Sequence, residues 1–166
     1  MATVALALGD DISTDVIYPG RYMATVLPTE TPQYAFADLT EFNAKLRSRQ
    51  IPPGGVIVGG RNFGCGSSRE QAVSTLKGYD LVIVAKGFAR IFLQNGINLG
   101  LQMVACPTIE ASLGDQLEVS NAEVVNGTTG KRFPINSLPK SRQAVIDAGG
   151  LIPFTRMRLL GTSKHA

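Results

Sequence analysis

Residues 64–70 read GCGSSRE, and they join an apolar run at 56–60, VIVGG, to a helical pattern closed by Gly78. A short apolar run bounded by turn residues predicts a buried strand, and a glycine after the last periodic residue predicts the end of a helix. Apolar runs at 3–8 and 81–85 predict two more strands. Strands and helices that alternate in this way indicate the α/β class.

The remainder of the chain continues the alternation. Hydrophobic periodicity and capping residues predict three more helices, over 39–47 with Thr40 as N-cap, over 88–96 with a stop at Gly96, and over 140–150. Strands are expected at 115–120 and in a hairpin over 122–135, around the NGTTG turn. No repeat or linker divides the chain. The predicted architecture is one domain over residues 1–166, a mixed sheet or barrel with helices packed outside.

The composition indicates a soluble globular protein and limits its partners. The chain has 166 residues, 44% of them hydrophobic, and a net charge of +3. No run of basic residues is interleaved with aromatic residues, which argues against nucleic-acid binding. The opening MATVALALGDD lacks a basic leader and meets acidic residues early. It therefore predicts neither a signal peptide nor a membrane span, and we expect a cytoplasmic protein.

The chain has two cysteines and one histidine. Cys65 and Cys106 are far apart and have no metal-ligand spacing, so we expect free thiols and no metal bound by this chain. The single histidine, His165, lies in the terminal GTSKHA and is expected to be solvated. An imidazole base from this chain is therefore excluded.

The GCGSSRE loop has two interpretations. Ser67 and Glu70 have the spacing of a capping box, in which the serine side chain accepts a hydrogen bond from the Glu70 amide. The same helix start offers free amides and a positive dipole end, which suit a carboxylate or phosphate. Arg69 can bind a carboxylate through two hydrogen bonds, and Ser67 and Ser68 add hydroxyls. The interpretations are compatible, since either serine could be the cap.

Two familiar phosphate-binding motifs do not fit this loop. In G-C-G-S-S-R an arginine stands where a dinucleotide fingerprint has its third glycine, and no lysine follows as in a P-loop. The sequence therefore argues against a nucleotide site.

Four segments together resemble a known family. They are DDISTDVIYPGRYM at 10–23, GRNFGCGSSREQA at 60–72, AKGFARIFLQNGIN at 85–98 and DAGGLI at 147–152. In this order they are similar to the small subunit of isopropylmalate isomerase, which is itself similar to the swivelling fourth domain of aconitase. The resemblance covers most of the chain. It implies an aconitase-type β/β/α swivelling domain that completes the active site of a large subunit, in a heterodimer or heterotetramer, with self-association of the isolated chain left open.

The resemblance also implies roles for single residues. Ser67 matches the family's catalytic base, which removes a proton from the carbon next to a substrate carboxylate. Ser68 and Arg69 match residues that bind substrate carboxylate, and Asp15 matches an aspartate that lines the same cleft. Helix-start amides and Arg69 would stabilise a serine alkoxide in a closed, dry site.

The family's cofactor is a [4Fe-4S] cluster, which needs at least three cysteine ligands. This chain has two cysteines. The resemblance therefore implies that the large subunit holds the cluster and that this chain binds none.

The RYMATV stretch at 21–26 bears on the substrate. In the family, the loop that begins at the position of Tyr22 contacts the variable end of the substrate. Arg21 belongs to the shared GRY and does not discriminate, whereas Met23 and Ala24 add no charge. Apolar residues here favour an isopropyl group and penalise an unpaired carboxylate. An ordinary apolar packing segment is an equally good interpretation.

The resemblance thus implies a hydro-lyase that interconverts 2-isopropylmalate and 3-isopropylmalate by dehydration and rehydration in leucine biosynthesis. A homoaconitase or another branched malate-type dehydratase is the alternative. Two more distant hypotheses are a non-catalytic anion-binding module and, from a pI of about 9.0, an RNA-binding interaction protein.

Overall fold

The computed structural model describes residues 1–162, so that His165 lies outside the described residues. Within them, seven strands form one mixed sheet in the order β4-β3-β2-β1-β5-β6-β7. The strands are β1 Ala2–Ala7, β2 Val56–Gly59, β3 Val82–Ala85, β4 Gln102–Ala105, β5 Gln116–Val119, β6 Glu123–Asn126 and β7 Arg132–Pro134. The helices are α1 Thr14–Ile17, α2 Thr40–Arg47, α3 Glu70–Lys77, α4 Arg90–Leu99, α5 Lys140–Asp147 and α6 Leu151–Thr162. The predicted α/β class, a mixed sheet with outer helices, is confirmed.

Strands β1 to β4 form the parallel half of the sheet. Their side chains alternate between two apolar clusters, because successive residues of a strand face opposite sides. Ile57 and Ile83 pack in a cluster with Val73 and Leu76 of α3. Val56 and Val58 pack in the second cluster, on the other face. Burial on both faces explains why these strands read as continuous apolar runs.

Strands β5 to β7 form the antiparallel half. Leu117, Val124 and Phe133 join the second apolar cluster and so cover the sheet face that the helices leave free. The predicted hairpin is confirmed, with β6 and β7 on either side of the NGTTG turn.

The parallel arrangement positions the loops. The carboxyl ends of parallel strands meet at one edge of a sheet. Residues 8–13 after β1, the GCGSSRE loop after β2 and residues 86–89 after β3 therefore lie side by side at this edge.

Two predicted helix boundaries are wrong. Thr40 is the first residue of α2 and not its cap, because the chain enters through a turn in which the Leu39 amide donates to the Phe36 carbonyl at 2.8 Å. Helix α4 continues through Gly96, which packs against Met103 where a side chain would collide, and ends at Gly100 with φ 71°. Gly78 ends α3 as predicted.

Strand β4 and helix α6 were not predicted. Five large apolar side chains of α6 are exposed, namely Leu151, Ile152, Met157, Leu159 and Leu160. No helix in residues 1–162 has both the length and the apolar content to cross a membrane.

Candidate functional site

Backbone hydrogen bonds hold the GCGSSRE loop against the two neighbouring loops of the carboxyl edge. The Gly64 amide donates to the Ile12 carbonyl at 2.7 Å, and the Thr14 amide donates to the Cys65 carbonyl at 2.8 Å. On the other side, the amide and carbonyl of Phe63 bond to Gly87 and Ala89, each at 2.9 Å. The loop is thus fixed from both sides before any side chain contributes.

The backbone conformation of the loop requires its two glycines. Gly64 and Gly66 have φ of 82° and 92°, in a region that side chains with a Cβ rarely adopt. Gly64 also lies directly against the ring of Phe92, where a Cβ would overlap the aromatic carbons. The loop can therefore pack on α4 only with glycine at position 64.

The predicted capping box is wrong. Helix α3 begins at Glu70 with Arg69 as its N-cap, and no side chain of the described residues 1–162 makes a capping hydrogen bond to it. The Arg69 amide donates to the Ser67 carbonyl at 2.9 Å, which closes a three-residue turn. This turn delays the helix start, so neither Ser67 nor Ser68 is in position to cap it.

The two serine side chains therefore stay available. Ser67 and Ser68 are both exposed. Their hydroxyls have no hydrogen-bond partner within residues 1–162, whereas the Ser67 carbonyl is engaged twice, by the Arg69 amide and by the Thr14 hydroxyl at 3.0 Å. The backbone is anchored and the hydroxyls can bind a ligand.

The Arg69 side chain is partly buried next to the serines, and its guanidinium is hydrogen-bonded within the protein on the Nη1 side. Its side chain is 14% exposed, and Nη1 donates to the Asp15 carboxylate and, at 3.2 Å, to the Tyr18 carbonyl. A Cβ on Gly20 would lie 3.3 Å from Nη2, so the guanidinium rests against the Gly20 backbone. Within the described chain, Nη2 and Nε have no acceptor. An oriented guanidinium with a free edge is suited to a carboxylate.

Asp15 comes from α1, where Ser13 is the N-cap and accepts from the Val16 amide at 3.4 Å. The Asp15 side chain is 57% exposed and faces Arg69. The structure thus brings together Asp15, Ser67, Ser68 and Arg69, the residues to which the resemblance assigns one cleft.

The segment 20–28 begins beside Arg69 but is held differently. Arg21 pairs with Asp38 and lies over the Tyr22 ring, 4.7 Å from its centroid. Tyr22 stacks on Tyr34 with a centroid distance of 4.0 Å. The Arg21 guanidinium holds the pKa of the Asp38 carboxyl below its ordinary value. Arg21 and Tyr22 therefore bond within the protein, while Met23 and Ala24 are exposed.

Tyr18 supports segment 20–28 through its hydroxyl, a role that the sequence did not predict. It is fully buried, and its hydroxyl lies 3.1 Å from the Tyr22 carbonyl and 3.4 Å from the Thr25 carbonyl. Burial raises the pKa of this phenol. A buried tyrosine needs a partner for its hydroxyl, but no local pattern indicated where that partner would be.

A cleft of about 510 Å³ extends from segment 20–28 along α3. Val26 and Pro28 form one wall, and Glu70 and Ser74 of α3 form the other. Glu70 follows Arg69 directly in the chain, but Asp15, Ser67, Ser68 and Arg69 do not line this cleft.

The residues of this chain do not fit a [4Fe-4S] cluster. Cys106 is buried, and its thiol lies 3.5 Å from the Pro134 carbonyl, away from the site. Cys65 is partly buried in the site loop. Among residues 1–162 no three His, Cys, Asp or Glu side chains are grouped to hold a metal ion.

Comparisons with known proteins agree on one family. Residues 12–108 match the Aconitase C-terminal domain. The chain is 38% identical to a 3-isopropylmalate dehydratase small subunit of Thermodesulfovibrio yellowstonii, over 91% of this chain and 90% of that protein. It is 39% identical to the isopropylmalate/citramalate isomerase small subunit of Methanocaldococcus jannaschii, over 91% and 90%. A crystal structure of a 3-isopropylmalate dehydratase from that organism superposes with a TM-score of 0.88 at 36% identity, covering 99% of this chain and 98% of the other.

Proposed function

The chain belongs to the aconitase C-terminal domain family, among the 3-isopropylmalate dehydratase small subunits, and we propose that it lends Ser67, Ser68 and Arg69 to a shared active site. The reaction is the interconversion of 2-isopropylmalate and 3-isopropylmalate by loss and return of water. One observation carries the proposal: two serine hydroxyls without a partner among residues 1–162 lie on an anchored loop, beside an arginine whose Nη2 and Nε have no acceptor in that part of the chain. The family match favours this function over an RNA-binding protein or a non-catalytic anion-binding module.

Ser67 is the proposed base, which takes the proton from the carbon next to a substrate carboxylate. A serine hydroxyl is weakly basic, so its alkoxide needs positive surroundings. Arg69 and the uncapped amides at the start of α3 supply them. The same groups stabilise the charge that develops on the substrate carboxylate as the proton leaves.

Arg69 and Ser68 are the proposed carboxylate-binding residues. The free Nη2 and Nε edge of Arg69 matches the two oxygens of a carboxylate. Asp15 and the Tyr18 carbonyl hold the opposite edge, so little side-chain freedom is lost on binding. Asp15 lines the site and orients Arg69.

The variable end of the substrate is assigned to segment 20–28. Met23, Ala24 and Val26 are uncharged and at least partly open to solvent, which suits an isopropyl group. Arg21 is occupied by Asp38 and is unsuited to pair with a second substrate carboxylate. The uncharged side chains of Met23, Ala24 and Val26 favour an isopropylmalate substrate over a homoaconitate-type acid. Tyr22 shapes the segment through its stack on Tyr34.

A large subunit is the proposed partner. The two serines face solvent, whereas proton abstraction by a serine requires water to be excluded. Exposed apolar side chains lie on the two segments next to the loop, Val16 on α1 and Met23, Val26 and Leu27 in segment 20–28, and apolar patches mark interaction surfaces. We propose that the large subunit covers this side of the chain and carries the [4Fe-4S] cluster.

The test is reconstitution with the large subunit from the same genome, its cluster assembled under anaerobic conditions. We expect formation of 3-isopropylmalate from 2-isopropylmalate only in the mixture, with the isolated chain folded but inactive. An inactive mixture of correctly assembled subunits, or turnover by this chain alone, would overturn the proposal.

A further inference from the structure

Ser67 has no side-chain anchor, so the position of its backbone sets the direction of its Cα–Cβ bond and thereby the positions that its hydroxyl can reach. The Ser67 hydroxyl has no partner in residues 1–162, and the side chain is exposed. The Ser67 carbonyl, in contrast, accepts from the Thr14 hydroxyl at 3.0 Å and from the Arg69 amide at 2.9 Å. The second bond is local to the turn. The Thr14 bond joins Ser67 to a residue 53 positions earlier in the chain.

Thr14 is itself held firmly. It is 2% exposed, its amide donates to the Cys65 carbonyl at 2.8 Å, and its carbonyl accepts from the Tyr18 amide at 2.8 Å. Gly66 passes so close that a Cβ there would lie 3.5 Å from the Thr14 hydroxyl oxygen. A residue whose backbone amide and carbonyl are both hydrogen-bonded is fixed in place, and its side chain can hold a neighbouring loop.

Asp15, the residue after Thr14, contacts the other half of the site. Asp15 bonds to Arg69, while Thr14 bonds to Ser67. Two consecutive residues of α1 thus hold the proposed base and the proposed carboxylate-binding group. Helix α1 therefore contacts both residues, in addition to the loop turn that joins them.

We infer that Thr14 is a positioning residue for the reaction: its hydroxyl sets the direction of the Ser67 side chain relative to Arg69. This inference rests on the proposed function of Ser67. Thr14 does not reach the substrate, because it is buried under the loop.

Thr14→Val removes the hydroxyl and nearly keeps the shape of the side chain. The Ser67 carbonyl then keeps only the bond from Arg69, and the serine can turn away from the substrate. Misplacement of a reacting group by about 1 Å can reduce a rate about 100-fold, so we expect kcat to fall about 10- to 100-fold. KM should change less than about threefold, since the Arg69 contacts with Asp15 and Tyr18 remain. Thr14→Ser restores the hydroxyl and should return kcat to within about threefold of wild type.

Thr75 offers a matched control. It is a fully buried threonine of α3, and its hydroxyl donates to the Thr31 carbonyl at 2.9 Å. Thr75→Val removes the same kind of hydrogen bond and should lower Tm by a similar amount. We expect it to leave kcat unchanged, because Thr31 is not in the site.

The experiment measures kcat, KM and Tm for these variants in the reconstituted enzyme, with Ser67→Ala in parallel. A fall in kcat specific to Thr14→Val and rescued by serine supports the inference. Normal turnover of Thr14→Val, an equal fall in Thr75→Val or failure of Thr14→Ser to rescue would overturn it. If Ser67→Ala also turned over normally, the proposed role of Ser67 would fail as well; if only Ser67→Ala were inactive, the inference alone would fail.

Discussion

The GCGSSRE loop and segment 20–28 form two sides of one site but are held in opposite ways. The loop is bonded through its backbone to Ile12 and Thr14, and its serine side chains are left open. Segment 20–28 is held through side chains, by the Tyr18 hydroxyl and by the stack of Tyr22 on Tyr34. A proposed base needs a fixed position, whereas a surface that contacts a variable substrate group can accept new side chains. We therefore expect changes in the loop to be severe and changes at the exposed positions of segment 20–28 to be tolerated.

The largest loss of stability is expected for a substitution of Gly64 in the GCGSSRE loop. Gly64→Ala places a Cβ in the left-handed region and against the Phe92 ring. The first effect costs about 1–2 kcal/mol, and overpacking adds about 1–3 kcal/mol. Urea unfolding of the variant should show a loss of unfolding free energy equal to the sum of these two costs.

Gly54 separates these two effects. Its φ is 83°, against 82° for Gly64, yet no atom lies within 4 Å of the added Cβ. Gly54→Ala should therefore cost only the backbone strain of about 1–2 kcal/mol. Equal losses of unfolding free energy in the two variants would show that the loop can move away from Phe92 and is not rigidly held.

In segment 20–28 we expect an effect on specificity instead of folding. Ala24→Arg adds an exposed cation at the proposed variable end of the substrate. It should bind a distal carboxylate and be left unpaired beside an isopropyl group. The ratio of kcat/KM for a homoaconitate-type acid to that for isopropylmalate should rise about tenfold or more, or about 1.4 kcal/mol.

Ala122→Arg is the control for this change. Ala122 is exposed in the antiparallel half, so the variant adds the same charge away from the site. Its ratio of kcat/KM should equal that of wild type. If Ala24→Arg assembles normally and its ratio also stays constant, segment 20–28 does not contact the variable end.

The smallest effect is expected at Tyr18, whose hydroxyl bonds to segment 20–28. Burial raises the pKa of Tyr18 above its ordinary value of 10.0, so the folded chain favours the neutral phenol. Stability from this group is fully present below pH 10 and is lost as pH rises through the folded pKa. Tyr18→Phe should cost about 1 kcal/mol near neutral pH, since it loses one hydrogen bond, and should reduce the alkaline loss of stability.

Tyr79 is the control for the pH series, because burial also raises its pKa and it lies outside segment 20–28. Unfolding free energies from about pH 8 to about pH 11 should show a shallower alkaline decline in either phenylalanine variant. Only Tyr18→Phe should also change KM for isopropylmalate. An unchanged alkaline slope in Tyr18→Phe would contradict the buried, hydrogen-bonded phenol.

The sequence was sufficient for the features that local patterns determine. Apolar runs located β2 and β3, and Gly78 ended α3. The family resemblance selected the four residues that the structure brings together. Strand β4 was missed because its four residues follow α4 after only two residues, Gly100 and Leu101, and show no alternation.

The capping-box error and the residues that the sequence did not reveal share a cause, which is contact between residues far apart in the chain. The capping box at Ser67 satisfied every local requirement, but the Thr14 hydroxyl and a three-residue turn hold that serine away from the helix start. Arg21 had no local partner in the sequence, and Asp38 lies 17 residues later. Propensity and spacing do not contain such pairings, so Thr14 and Tyr18 could not have been found from the sequence.

The measurement that tests the central claim most directly is turnover and stability of Ser67→Ala in the reconstituted enzyme. The Ser67 hydroxyl bonds to nothing within residues 1–162, so its removal should change the unfolding free energy by less than about 0.5 kcal/mol. Loss of a base should lower kcat about 10²- to 10⁴-fold. An inactive variant of unchanged stability that still assembles is the predicted result. Near-normal turnover would contradict the assignment of Ser67 as the base.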